Sequence, residues 1–123
     1  MEIWINPACS KCRAALSAFD EAGLSYTVRR YLDDPPTAAE LEVVLDHLGL
    51  QPWDLARPNE SKDAANGVAG LPRDDANRGA WIDAMVAHPI LIQRPIVTAD
   101  DGTATIARDP EVLRAVLAKA TRS

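Results

Sequence analysis

Asn6-Pro7-Ala8-Cys9-Ser10-Lys11-Cys12 holds both cysteines of a 123-residue chain within one helical turn. A cysteine sulfur can be a nucleophile, a redox centre, a metal ligand or simply a small apolar filler, so the spacing opens three readings: a working thiol, a metal half-site, or a coincidence of packing. A metal site would need at least two more ligands. The chain's two histidines, His47 and His88, lie far apart and lack the H-x₃₋₅-H spacing of a zinc site, so no metal is expected.

Position separates the two thiols. Cys9 falls where a strand turns into a helix, and there the unpaired backbone N–H groups and the helix dipole favour an anion, which predicts a stabilised thiolate. Lys11 and Arg13 add positive potential nearby or else point into water. Cys12 lies three residues on, roughly 5 to 6 Å away on the same helical face and within reach of a disulfide. It also sits on the helix's apolar stripe, so a purely structural role for it stays open.

These residues need a scaffold. Glu2 to Asn6 reads as a short buried strand ended by Asn6-Pro7. Cys12, Ala15, Leu16 and Phe19 recur with helical period, and Gly23 stands where a helix C-terminus favours a left-handed residue. Ser25 to Tyr31 can form a second strand, and Asp33-Asp34-Pro35-Pro36 breaks the chain. Thr37 to Glu40 is a capping-box pattern ahead of Leu41, Val44, Leu45 and Leu48, with Gly49 as the stop.

Gln51 to Asp75 is polar and broken by prolines and glycines, which predicts short turns and loops. Asp74 or Asp75 then caps a helix carrying Trp81, Ile82, Met85 and Val86 that stops at His88-Pro89. The apolar run Ile90 to Val97 and the segment Thr103 to Ile106, joined through Asp100-Asp101-Gly102, predict a β-hairpin. Asp109-Pro110-Glu111 starts a last helix with Val112, Leu113, Val116 and Leu117 as its buried stripe.

The order β-α-β, helices, β-β-α predicts an α/β fold with a mixed four-stranded sheet of thioredoxin type. A helical insertion at about 37–88 separates strands 2 and 3, within a single domain spanning 1–123.

Composition narrows the function classes. With 18 acidic and 13 basic side chains the net charge is -5, which repels a phosphate backbone and argues against direct nucleic-acid binding. No window approaches the roughly 18 apolar residues of a membrane helix, and the first residues enter a strand without a basic leader. A cytoplasmic location is expected, and two close cysteines in a reducing compartment favour catalysis or redox sensing over a permanent staple.

Four blocks carry a resemblance. Asn6 to Arg13, the Tyr31-Leu32 to Pro35-Pro36-Thr37 junction, Leu55-Ala56-Arg57-Pro58-Asn59-Glu60, and His88-Pro89-Ile90-Leu91-Ile92-Gln93-Arg94-Pro95-Ile96-Val97 together resemble the glutaredoxin-coupled arsenate reductases over nearly the whole chain. The resemblance implies an oxidoreductase in which Cys9 attacks arsenate and Arg57, Arg94 and Arg108 surround the oxyanion, with Asn6, Arg13 and Pro95 in support. It implies no bound cofactor. The implied co-substrate is a thiol such as glutathione or glutaredoxin, and Arg94-Pro95 matches the place where thioredoxin-like folds hold a cis-proline.

The arginine chemistry agrees, because an arsenate dianion calls for permanent cations in a fork geometry. Each arginine has a plainer rival reading: solvent for Arg57, an ordinary ion pair for Arg94 within its apolar run, a local salt bridge for Arg108 beside Asp109. The sequence also departs from the family pattern, which often has Ser at the place of Cys12 and sometimes His at the place of Ile5. A second thiol can close a Cys9–Cys12 disulfide internally, which leaves the electron donor open. The alternative functions are a Spx-like redox regulator that binds RNA polymerase and a related thiol-disulfide oxidoreductase.

Overall fold

The computed structural model describes residues 1–56, 70–99 and 101–121. Its packing falls into two units, Met1–Tyr31 with Arg94–Ser123, and Leu32–Gln93.

The first unit is a four-stranded sheet with two helices. β1 (Glu2–Ile5), α1 (Ser10–Glu21), β2 (Thr27–Arg30), β3 (Ile96–Thr98), β4 (Ala104–Ile106) and α5 (Pro110–Thr121) build it, with strand order β2-β1-β3-β4. β1 is central because Ile3, Trp4 and Ile5 are all apolar and buried. It pairs with β2 in parallel, which requires a crossover, and α1 supplies it. Its other neighbour, β3, runs antiparallel and continues into β4.

α1 buries Cys12, Ala15 and Phe19 and stops at Gly23, whose φ of 70° only glycine adopts without strain. Ile3, Ile5, Cys12, Phe19, Val97 and Ala107 form one core cluster, against which Leu16, Leu113, Val116 and Leu117 pack. β2 is an edge strand with Val28 exposed, and its charged Arg29 lies 5.1 Å from the Trp4 ring centroid. Charge on an edge discourages pairing with another chain.

Two expectations shift here. The apolar run from Ile90 does not enter the sheet until Ile96, because Pro95 has no N–H to give to a ladder and Pro89 instead opens a 3₁₀ turn over Pro89–Leu91. The stripe of α5 is half-buried, not buried: one side of Leu113, Val116 and Leu117 meets the core while the other meets solvent. The hairpin turn is as expected at its described positions, with Gly102 at φ 87° and the Asp101 carboxylate accepting from Thr103 N at 3.0 Å.

The second unit is helical. α2 (Ala38–Leu48) carries the full capping box, with Glu40 N donating to Thr37 Oγ1 at 3.1 Å and Thr37 N donating to Glu40 Oε1 at 3.1 Å. Gly49, at φ 69°, ends it. α3 (Pro52–Leu55) is one turn, and Asp74 caps a 3₁₀ turn at Asp75–Asn77 that leads into α4 (Arg78–Ala87). Leu41, Val44, Leu45, Leu55, Trp81, Ile82 and Met85 are buried here. A helical segment thus separates β2 from β3, as the sequence pattern predicts.

Candidate active site

Strand register brings the chemistry to one end of the sheet. The parallel pair ends on Ile5 and Arg30, so Asn6 and Tyr31 are the residues that follow the carboxyl ends of β1 and β2. Ile96 pairs with Ile106, and Ala107 N donates to the Pro95 carbonyl at 2.9 Å, which continues the β3–β4 register toward Arg94 and Arg108. Carboxyl ends of parallel strands are where open α/β sheets gather their ligands.

Asn6 shapes the turn into α1. Its side-chain oxygen accepts from Ala8 N at 3.0 Å and its carbonyl accepts from Cys9 N at 2.9 Å. Asparagine suits this place because its short amide imitates a backbone turn. Cys9 is thereby set as the N-cap residue of α1, half-exposed, while Cys12 is fully buried. Neither cysteine is in a disulfide.

The surroundings separate their acidities. Burial alone would raise the Cys9 thiol, but the Cys12 amide and thiol, the Arg94 guanidinium and the Lys11 amide together lower it from 9.0 to about 7. The Cys9 side chain makes no cap hydrogen bond at the head of α1. For Cys12, burial dominates and the neighbouring Cys9 adds to it, while the Asn6 amide pulls the other way; the result is a thiol pushed up to about 12.

Arg94 is the central cation of this group. It is 5 % exposed, follows the 3₁₀ turn, and is joined to Pro95 by a cis peptide bond, as the resemblance predicts. Its positive charge helps to lower both the Cys9 thiol and the Tyr31 phenol. Tyr31 is fully buried, and burial pushes its phenol well above the ordinary range while Arg94 pulls it back. The sequence places Tyr31 at the end of the second strand and within the Tyr31-Leu32 to Pro35-Pro36-Thr37 block that carries the resemblance, but gives it no role at the site.

Arg108 is half-buried, and its Nη1 is buried without a hydrogen-bond partner among the described residues. Such a donor is suited to an anion. Arg13 and the Lys11 side chain are exposed on α1, and Lys11 acts on Cys9 through its backbone. Arg57 lies outside the described residues. Among the described residues no group of three His, Cys, Asp or Glu is arranged to hold a metal, and no helix is long and apolar enough to cross a membrane.

Comparison with known proteins adds an independent line. The family model described as the ArsC family matches residues 4–116. The chain belongs to the ArsC family. An arsenate reductase of Neisseria meningitidis is 38% identical over 95% of this chain and 97% of its own length. A protein of Streptomyces viridochromogenes, described as an uncharacterized protein in the glnII region, is 54% identical over 97% of this chain and 100% of its own. The solved arsenate reductase of Vibrio cholerae superposes with a TM-score of 0.80 at 32% identity, covering 94% of this chain and 98% of that one. The thioredoxin-like α/β fold of this ArsC protein is therefore shared with solved relatives.

Proposed function

We propose that this ArsC-family protein is a thiol-dependent arsenate reductase in which Cys9 is the nucleophile. The observation that carries the reading is the half-exposed Cys9 at the N-cap of α1, its thiol lowered to about 7 by the helix-start amides, Cys12 and the permanent cation Arg94. An oxyanion drawn to Arg94 meets that sulfur directly. Arg108 offers a second buried donor, and Arg57 is assigned to the same oxyanion by resemblance.

The chemistry balances as a two-electron exchange. The Cys9 thiolate forms a bond to arsenic(V) and an arsenic-bound oxygen departs as water. A second thiol then attacks the Cys9 sulfur, the sulfur–arsenic electron pair stays on arsenic as arsenite, and the two sulfurs leave as a disulfide. The second thiol is either Cys12 or an external donor of the glutathione or glutaredoxin type, in the reducing cytoplasm, with no bound cofactor.

Turnover with arsenate tests this, using glutathione, a glutaredoxin system and a dithiol in turn, for the wild type, Cys9→Ser and Cys12→Ser. Loss of arsenite formation in Cys9→Ser with retained folding is the expected result. Wild-type protein inert with every donor would defeat the proposal, and redox-dependent capture of RNA polymerase by such inert protein would favour a regulator.

A further inference from the structure

After each turnover, when the disulfide has been reduced, two free thiols face the product of the reaction, trivalent arsenic. Cys9 is the N-cap residue of α1 and Cys12 stands three residues on, inside the first turn, where Arg13 N donates to the Cys9 carbonyl at 3.1 Å and fixes the helical register. Side chains three apart in a helix have Cβ atoms about 5 to 6 Å from each other. The Cys9 side chain makes no cap hydrogen bond, so its sulfur is not engaged at the helix head. It packs, half-exposed, against the cluster of Ile3, Ile5, Phe19 and Val97 in which Cys12 is fully buried. One sulfur thus meets solvent, and the other lies in the core beneath the same helical turn.

Donor count decides what such a pair can hold. A zinc site asks for three or four protein ligands, and among the described residues no group of three His, Cys, Asp or Glu is arranged to supply them. Trivalent arsenic is soft and keeps a hydroxyl or carbon substituent of its own, so two sulfurs complete it. An atom bridging two sulfurs also needs them farther apart than the roughly 2.05 Å of a disulfide, which a pair at i and i+3 meets with less closure. Arsenic(III) hydroxide carries no charge near neutrality and suits the apolar wall around Cys12, whereas the arsenate anion calls for arginines.

From this placement we infer that Cys9 and Cys12 together form a binding site for trivalent arsenic, in which one arsenic atom bridges both sulfurs and the product of reduction holds the enzyme inactive. The inference rests on the reading of Cys9 as the arsenate-reducing thiol, which supplies the ligand. No electrons move. Cys9 bonds to arsenic first, because it is half-exposed, and Cys12 follows; each new bond replaces an arsenic–oxygen bond whose oxygen leaves as water. The proton on that water comes from solvent in the first step and from the Cys12 thiol in the second. A thiol pushed up to about 12 is therefore no bar to the second bond, since its proton departs with the oxygen.

The test uses phenylarsine oxide, a trivalent arsenic with two exchangeable positions, on reduced wild type, Cys9→Ser, Cys12→Ser and Cys12→Ala, with protection of Cys9 from iodoacetamide as the readout. One equivalent is expected to protect folded wild type, with the circular dichroism spectrum retained. Excess 2-mercaptoethanol should fail to reverse that protection, while a 1,2-dithiol restores alkylation. Both Cys12 variants should bind at least about a hundredfold more weakly and release the arsenical to 2-mercaptoethanol, because the second bond acts through effective concentration. Equal affinity in wild type and the Cys12 variants overturns the assignment, as does a complex that forms only with loss of the fold. Should the Cys12 variants fail to fold, reversal of the wild-type complex by 2-mercaptoethanol alone counts against it.

Arsenite inhibition of arsenate turnover gives a separate readout, expected at the concentrations at which arsenite protects Cys9. Wild type without arsenate turnover would sink the reductase reading and leave the arsenical complex measurable. Turnover without a complex that resists 2-mercaptoethanol would sink this inference alone.

Discussion

Cys9, the half-exposed N-cap of α1, stands three residues ahead of the fully buried Cys12, and the pair's mutual influence lowers the first thiol and raises the second, so that the buried member keeps its proton while the half-exposed member ionises. The two titrate as a pair, the first loss at about 7 and the second at about 12. One sulfur is thereby reactive near neutrality and the other is held in reserve.

The first consequence concerns pH. Alkylation of Cys9 should rise through a midpoint near 7 and level off above it, whereas an ordinary thiol would follow 9.0. The linkage has a definite sign: a depressed folded value stabilises the reduced protein fully only above 9.0, and that contribution fades as pH falls through about 7. Alkylation at graded pH, monitored by mass at Cys9, checks it; a midpoint near 9 would refute the site's electrostatics.

The pair itself can be dissected. Cys12→Ala removes the donor and should raise the Cys9 midpoint toward 9, while Cys12→Ser keeps a hydroxyl donor and should leave it closer to 7. Because Cys12 is fully buried among Ile3, Ile5, Phe19 and Val97, Cys12→Ser places a more polar group in the core, at a cost of about 1 to 3 kcal/mol if it lacks a full partner set. Alkylation profiles and chemical denaturation of both variants distinguish the two effects.

Arg94→Ala removes the cation shared by Cys9 and Tyr31. Oxyanion binding should weaken by about 1.5 to 3 kcal/mol, roughly tenfold to a hundredfold in KM for arsenate, and the Cys9 midpoint should rise in the same variant. Arg94→Lys is expected to recover charge without the fork, and so to restore the midpoint better than the KM. An Arg94→Ala protein with unchanged KM would remove Arg94 from the oxyanion site.

A control in the second unit is available in α2. Thr37→Ala removes the Oγ1 acceptor that Glu40 N uses, one half of the capping box, while its backbone N–H still donates to Glu40 Oε1, and it should cost about 1 kcal/mol. Its Cys9 midpoint should match the wild type. Thermal unfolding beside the alkylation profile measures this.

What the linear chain determined was local. Helical period placed Cys12, Ala15 and Phe19 on one buried face, the Thr37 and Glu40 pairing announced a helix start, and the strand-to-helix turn set Cys9 at a helix N-terminus, because caps, periods and turns depend on neighbours within about four residues.

Pairing across the sheet was decided only in three dimensions. The run from Ile90 reads as a strand by its residue types, yet Pro89 and Pro95 confine the ladder to Ile96–Thr98. The joining of Tyr31, at the end of β2, to Arg94, ahead of β3, needed the tertiary structure. The chain between them is 62 residues long, and no local pattern encodes which strand ends meet. Strand pairing and the burial of Arg94 and Tyr31 settle that, and with it the charge that acts on Cys9.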